Sequence, residues 1–80
     1  MKKVSVLFFG ATAEIVGKRE IEISFAGEKK AQQAFAEIVE NFPLLKKHSL
    51  LFALNQEYAK GDETINDGDE LAVFTAVSGG

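Results

Sequence analysis

Two strongly apolar runs, one near each end of the chain, place the tightest limit on the fold. The first reads KVSVLFFG over Lys3–Gly10, and the second reads ELAVFTAV over Glu70–Val77. Both runs are rich in the β-branched and aromatic residues that favour strands. Apolar side chains fall on both faces of these runs, which is typical of strands in the middle of a sheet. The sequence therefore predicts that they pair side by side, in parallel, at the centre of one sheet.

Between these runs lies one amphipathic segment that predicts a helix. In Glu28–Phe42, which reads EKKAQQAFAEIVENF, apolar side chains recur at helical spacing and form one stripe. The stripe consists of Ala31, Ala34, Phe35, Ile38, Val39 and Phe42. Because a proline disfavours the helical conformation in the residue before it, Pro43 is expected to stop the helix. We expect the stripe to pack on the sheet.

The remaining segments complete a short series of elements. Ala11–Gly17 predicts a short helical turn, Arg19–Phe25 alternates as a strand, and Leu50–Asn55 predicts another strand that ends in a tight turn. The order is thus strand, strand, helix, strand, strand. This order predicts an α+β fold of the β-grasp, or ubiquitin-like, type, which is a small mixed sheet with one long helix across one face.

One helix covers only one face of such a sheet, and this leaves the other face open. The helix is expected to contact alternate positions of the two central strands, namely Val4, Val6, Phe8, Leu71 and Val73. The residues expected on the open face are Leu7, Phe9, Ala72 and Phe74. An exposed apolar patch with aromatic members indicates a surface for a partner protein.

Charge and composition argue against several classes of function. The net charge is −3, from 12 acidic and 9 basic side chains, whereas nucleic-acid binding requires a basic surface. The chain has no cysteine and one histidine, so we expect no disulfide, no thiol nucleophile and no metal site. The start, MKKVSVLFFGATA, imitates a secretory signal, but its cleavage would remove the best strand. No apolar stretch reaches the roughly 20 residues that span a bilayer.

The side chains do not form a recognisable catalytic set. Acidic residues cluster before the last strand, but their spacing does not fit the calcium-binding loop of helix-loop-helix proteins. We expect a solvated turn there, which can attract a basic partner. His48 follows LLKK and is expected at the surface or at a helix end. We therefore expect no catalytic residue within this domain.

The chain finishes on Gly79 and Gly80, directly after the final strand. This divides it into a β-grasp domain over residues 1–77 and a flexible tail over residues 78–80. A terminal carboxylate is ionised at pH 7 and reacts as an acyl donor only after activation, for example as a mixed anhydride with AMP. Two residues without a β-carbon allow such a tail to enter a narrow channel in a partner. The glycines would then be the substrate, and the folded domain would be the part that the partner holds.

Four segments make the chain resemble a known family. They read VLFFGATAEIVG, LNQEYA, INDGDELAVF and VSGG, and the D-G-D-E turn together with the final Gly-Gly is the most specific feature. These segments are similar to those of the small subunits of molybdopterin synthase, which are ubiquitin-like sulfur carriers. The resemblance implies a non-catalytic, cytoplasmic carrier that binds no cofactor and no metal. It covers essentially the whole chain.

The resemblance also implies partners and residue roles. In that family an adenylating enzyme of the ubiquitin-activating type uses ATP to form an acyl-adenylate on the last glycine, and a sulfur donor enzyme supplies the sulfur of a thiocarboxylate. The large subunit of molybdopterin synthase, in an expected heterotetramer, receives the tail and forms the dithiolene. Gly80 is implied to carry the adenylate and the sulfur, and Gly79 and Ser78 to thread into the partner. The implied partner interface consists of Phe9, Phe74, Tyr58 and Leu7.

Two departures and three alternatives accompany this resemblance. Thr75-Ala76 stands where members often carry two prolines, and Ala13 stands where they often carry a basic residue. The alternatives are a thiamin-pathway sulfur carrier, a ubiquitin-like protein modifier and a passive β-grasp interaction module. Thiamin-pathway carriers are usually shorter and lack the turn supplied here by Ala11–Gly17, which favours the molybdopterin hypothesis.

Overall fold

A computed structural model describes residues 1–75 of the chain. The strands are β1 (Lys2–Phe8), β2 (Glu20–Phe25), β3 (Leu50–Leu54), β4 (Glu57–Tyr58) and β5 (Glu70–Thr75). The helices are α1 (Ala11–Val16), α2 (Ala31–Asn41) and a short 3-10 helix (Pro43–Lys47). None of these three helices is long and apolar enough to cross a lipid bilayer.

The five strands form one mixed sheet in the order β2-β1-β5-β3-β4. β1 and β5 run parallel beside each other, with Val6 opposite Leu71 and Phe8 opposite Val73. The other neighbouring strands pair antiparallel. The predicted parallel pairing of the first and last strands is confirmed, and with it the β-grasp arrangement of a mixed sheet under one long helix.

The long helix is shorter at both ends than its sequence pattern predicts. Lys30 adopts an extended conformation (φ −88°, ψ 156°), so the helix begins at Ala31. The amide of Ala31 donates to the carbonyl of Glu63 at 2.8 Å, which satisfies one of the unpaired donors at the helix start. At the other end the helix stops at Asn41, and Pro43 opens the 3-10 helix, as expected for a segment before proline.

The structure adds a short strand and a 3-10 helix that the sequence pattern did not predict. β4 contains two residues, too few to show an alternation of apolar and polar side chains. It pairs with β3 across a turn at Asn55 and Gln56, whose φ values are 51° and 71°. Positive φ at both central positions is typical of two-residue hairpin turns of type I′. The predicted turn is confirmed, whereas the strand after it was missed.

The hydrophobic core lies between α2 and one face of the sheet. The central strands contribute to it the five predicted residues, Val4, Val6, Phe8, Leu71 and Val73. The helix contributes Ala31, Ala34 and Ile38, all of which are buried. Three other members of the predicted stripe, Phe35, Val39 and Phe42, are only half-buried. The ring of Phe35 stacks on that of Phe52, with 3.7 Å between their centroids, so it covers the side of the core.

The predicted helical turn after β1 is confirmed as α1. The helix ends at Val16. The following Gly17 has a φ of 81°, in the left-handed region, and its amide donates to the carbonyl of Ala13 at 2.8 Å. Glycine adopts this conformation without a steric penalty, which explains the end of the helix there. α1 packs against both β5 and the 3-10 helix, and it therefore covers the end of the sheet.

Replacing Ile38 by alanine tests the position of the core. Ile38 is 1% exposed, and truncating a buried isoleucine to alanine removes about 2–5 kcal/mol of unfolding free energy. Glu40→Ala, at an exposed position of the same helix, is the control and is expected to change stability by less than about 0.5 kcal/mol. Urea denaturation measures both changes. Equal losses in the two variants would contradict the placement of the helix on the sheet.

Candidate functional site

The face of the sheet that α2 does not cover carries a row of apolar side chains across four strands. The strand register places Leu7 beside Ala72, Ala72 opposite Ala53, and Ala53 opposite Tyr58. Residues directly opposite each other on neighbouring strands point to the same side of a sheet. The open face predicted for Leu7 and Ala72 is therefore confirmed, and it continues to the β4 edge.

The same face carries three aromatic side chains, one of which, Tyr58, ends this row. Phe9 is 50% exposed and Tyr58 is 73% exposed, while Phe74 is half-buried with its ring centroid 5.9 Å from that of Tyr58. Together with Ala53 and Ala72, they line a shallow groove of about 360 Å³. Aromatic side chains beside an apolar floor are typical of the anchoring region of a protein–protein interface. The structure thus brings all four sequence-predicted interface residues to one side of the sheet.

The same side of the sheet holds one large apolar residue that the sequence interpretation missed. Leu51 lies opposite Phe74 on the neighbouring strand and is 37% exposed. Its neighbours Leu50 and Phe52 pack on the core, so the alternation along LLFAL directs Leu51 outward. The alternation is visible in the sequence, but it places Leu51 on the open face only once β3 is known to pair with β5. We call the whole surface the aromatic face; its members are Leu7, Phe9, Leu51, Ala53, Tyr58, Ala72 and Phe74.

Carboxylates border the aromatic face on β2 and at the start of β5. Glu20 lies opposite Leu7, and Glu22 and Glu70 both lie beside Ser5. Within residues 1–75 none of these three glutamates takes part in an ion pair. Their charges are therefore available to a partner, and complementary charge at the border of an interface raises the association rate. The geometry favours a partner with a basic rim around an apolar centre.

The aspartates before β5 are used to build the turn. Asp67 accepts the amide of Lys3 through its side chain at 2.7 Å, and Asp69 accepts the amide of Asn66 at 2.7 Å. Between them, Gly68 has a φ of 87°, a conformation that suits glycine. The predicted turn is confirmed. Because one of its bonds reaches back to β1, it also fixes where β5 begins.

Glu63 has a similar structural role in the preceding loop. Its carboxylate accepts the amide of Lys60 at 2.7 Å and that of Gly61 at 2.8 Å. The pKa of the Glu63 carboxyl lies below its ordinary value. The largest cause is the hydrogen bond from the Lys60 amide, followed by those from the amides of Glu63 itself and of Gly61. Hydrogen bonds to the charged form stabilise that form, so this group is a loop anchor.

The other residues that the sequence analysis considered lie away from the aromatic face or outside residues 1–75. His48 is exposed at the end of the 3-10 helix, as predicted. Within residues 1–75 no group of three or more acidic or histidine side chains is arranged to hold a metal ion. The described part of β5 runs to Thr75, directly after Phe74. The predicted tail residues Ser78, Gly79 and Gly80, and the predicted boundary after residue 77, lie outside the described residues.

Comparison with known proteins decides the family. Residues 6–80 match the model of the ThiS family. The chain belongs to the ThiS family. It is 41% identical to the molybdopterin synthase sulfur carrier subunit of Homo sapiens, over 98% of this chain and 94% of that protein. The resemblance that the sequence motifs indicated is thereby confirmed.

Solved structures place this ThiS-family chain in the same fold. A Pyrococcus furiosus protein assigned as molybdopterin converting factor, subunit 1, is 25% identical, with a TM-score of 0.87 over 96% of this chain and all of that one. SAMP1 from Haloferax volcanii is 27% identical, with a TM-score of 0.83 over 98% of this chain and 99% of that one. These likenesses extend over the whole β-grasp domain, including the strands that form the aromatic face.

Substitutions on the two faces of the sheet test which side chains support the fold of this ThiS-family chain. Val73 is fully buried, so Val73→Ala is expected to lower the unfolding free energy by about 2–3 kcal/mol. Tyr58→Ala, on the aromatic face, removes a larger but mostly exposed side chain and is expected to cost less than about 1 kcal/mol. Thermal denaturation of both variants gives the comparison. A larger loss for Tyr58→Ala would show that this face is part of the core.

Proposed function

We propose that this chain is the sulfur carrier subunit of a molybdopterin synthase, and that its last residue, Gly80, carries the sulfur as a thiocarboxylate. The observation that supports this most is the full-length similarity to the human sulfur carrier subunit, at 41% identity. The geometry agrees with a carrier, because the strand that presents Phe74 is also the last strand before the Gly79-Gly80 end. A partner that docks on the aromatic face is thereby positioned to receive the tail.

The proposed reaction takes place on partners and uses ATP there. The Gly80 carboxylate attacks the α-phosphorus of ATP on an adenylating enzyme of the ubiquitin-activating type, which forms an acyl-adenylate and releases pyrophosphate. A persulfide on a sulfur donor enzyme then attacks the acyl carbon, and AMP leaves. Reductive cleavage of the resulting acyl disulfide by a thiol leaves the thiocarboxylate. The carrier itself binds no cofactor and contributes no catalytic side chain, and we place it in the cytoplasm, where ATP is supplied.

The large subunit of molybdopterin synthase is the partner that consumes the sulfur. We propose that it docks on the aromatic face through Leu7, Phe9, Tyr58 and Phe74, in a heterotetramer of two small and two large subunits. Gly79 and Ser78 thread into its active site, where the absence of a β-carbon at Gly79 allows a narrow channel. The acidic border at Glu20, Glu22 and Glu70 supports a basic rim on that partner.

A protein modifier is the second candidate, and a specific observation favours it. SAMP1 from Haloferax volcanii is a small archaeal modifier protein, and its likeness to this chain covers nearly the whole length of both. A modifier would use the same adenylate but pass Gly80 to a lysine of a target protein. Incubation with the adenylating enzyme, ATP and a sulfur donor separates the two by intact mass. A gain equal to the replacement of one oxygen by sulfur supports the carrier, and a ladder of conjugates supports the modifier.

Phe74→Ala tests the docking surface. The loss of an aromatic anchor is expected to weaken binding to the large subunit by more than about 1 kcal/mol, or about fivefold in Kd, since such anchors dominate interface energies. Leu44→Ala is the matched control, because Leu44 is also apolar and 59% exposed but lies in the 3-10 helix on the other side of the sheet. Isothermal titration measures both. If Phe74→Ala binds normally, the docking surface lies elsewhere.

Three changes at the end of the chain test the role of Gly80. Deleting Gly80 shortens the reach by about 3.3–3.6 Å, and adding a residue after it places its carbonyl in a peptide bond. Gly79→Trp introduces a side chain that a narrow channel would exclude. All three variants are expected to keep the wild-type thermal midpoint and to gain no sulfur in the intact-mass assay. A residue added before the exposed Met1 is the control and should leave sulfur loading unchanged.

The proposal fails if a variant without Gly79 and Gly80 still supports dithiolene formation in a purified system. That result would leave a passive β-grasp interaction module as the remaining hypothesis. Loading of sulfur on wild-type protein followed by transfer to a thiazole precursor, and not to a pterin precursor, would instead identify a thiamin-pathway carrier.

A further inference from the structure

Thr12 is the one polar side chain that is buried within residues 1–75. It lies in the first turn of α1, at the end of the sheet from which β5 leads into the tail. Burying a hydroxyl group away from water costs free energy unless the group is hydrogen-bonded, so the partners of the Thr12 hydroxyl indicate its role. The proposed sulfur transfer does not use this hydroxyl, and no sequence motif singled it out.

The hydroxyl joins the ends of the two central strands. Thr12 Oγ1 lies 2.7 Å from the carbonyl oxygen of Phe9 and 2.8 Å from that of Val73. A hydroxyl has one proton to donate, so the two carbonyls share it. The carbonyl of Val73 also accepts the amide of Phe9 at 3.1 Å. Thr12, Phe9 and Val73 therefore form a closed set of bonds that connects β1, α1 and β5.

Both carbonyls belong to the backbone that carries the aromatic face. Phe9 is itself a member of that face, and the carbonyl of Val73 lies in the peptide plane that leads to Phe74. Because a peptide unit is planar, fixing its carbonyl limits the direction in which the next residue's side chain leaves the backbone. The described pairing of β1 with β5 reaches Phe8 opposite Val73, so Thr12 adds a donor where this ladder ends.

We propose that Thr12 is a positioning residue that fixes, from inside the domain, the relative orientation of Phe9 and Phe74. This inference rests on the proposed function, since docking and delivery of the tail are what the orientation serves. A misplacement of about 1 Å can lower a reaction rate about a hundredfold, so a shift of the two docking side chains affects sulfur delivery as well as binding.

Three substitutions separate this role from a general contribution to the core. Thr12→Val keeps the shape of the side chain and removes its donor, whereas Thr12→Ser keeps the donor and removes a methyl group. Ile65→Val is the matched control for lost packing, because Ile65 is fully buried on the helix side of the sheet. For each variant we would measure the thermal midpoint, the Kd for the large subunit of molybdopterin synthase, and the single-turnover rate of sulfur transfer at saturating large subunit.

The expected result is a loss of function that follows the hydroxyl and not stability. Thr12→Val raises the Kd at least tenfold and lowers the single-turnover rate at least tenfold. Thr12→Ser stays within threefold of wild type in both, and Ile65→Val stays within twofold although its thermal midpoint falls. In the isolated protein, the NMR signals of the Phe9 and Phe74 amides shift in Thr12→Val, and the Phe9 amide exchanges faster with solvent. Neither change occurs in Ile65→Val.

Several results would overturn the inference. One is that Thr12→Val keeps the wild-type Kd and single-turnover rate. Another is that Thr12→Val changes the Kd and the rate no more than Ile65→Val does. If Thr12→Val does not fold, Thr12→Ala also lacks the donor, and equal Kd values for the alanine and serine variants would overturn the inference. Failure of the proposed function has a different signature, because wild-type protein then neither loads sulfur nor binds the large subunit. In that case unchanged amide signals in Thr12→Val overturn the positioning role, and shifted signals support it.

Discussion

The parallel pairing of β1 with β5 is the interaction on which the rest of the structure depends. It brings the first described strand beside the last one, so every other described element lies in the loop that this contact closes. The entropy lost on closing a loop grows only slowly with its length, and burying Val4, Val6, Leu71 and Val73 between the sheet and α2 offsets it. The remaining strands then extend the sheet on either side.

One consequence of this pairing is that adjacent residues of β5 serve different purposes. Val73 is fully buried under α2, while Phe74 points to the aromatic face. Side chains alternate along a strand, so a register shift of one residue would exchange the two. A single helix is enough to stabilise the fold from one side. The opposite side is therefore left uncovered. A sheet with one solvated face usually alternates apolar and polar residues, so the apolar residues on this side distinguish it from an ordinary solvated face.

The sequence predicted the central pairing and the open face because both depend on alternation within long apolar runs. It placed Leu7, Phe9 and Phe74 on the correct face for that reason. It missed β4 because two residues carry no periodicity, and it missed Leu51 because its exposure depends on which strand β3 joins. The start of α2 was misplaced because Lys30 fits a helix by propensity, but a bond from the next residue's amide to the Glu63 loop keeps it extended. Contacts between distant segments decided the exposure of Leu51 and the start of α2, whereas β4 forms in a local hairpin.

Polar contacts at both ends of β5 set its register, and this links folding to the proposed chemistry. At the start of the strand, Asp67 accepts the amide of Lys3, and Gly68 donates to the carbonyl of the same lysine at 2.8 Å. At its end, the amide of Phe9 and the hydroxyl of Thr12 both bond the carbonyl of Val73. Apolar packing alone tolerates small sliding between strands, whereas hydrogen bonds with fixed donors and acceptors do not. Burial of apolar surface is the dominant favourable term in folding, so the hydrophobic core supplies most of the stability of the domain. The polar contacts define where Phe74 stands in the sheet.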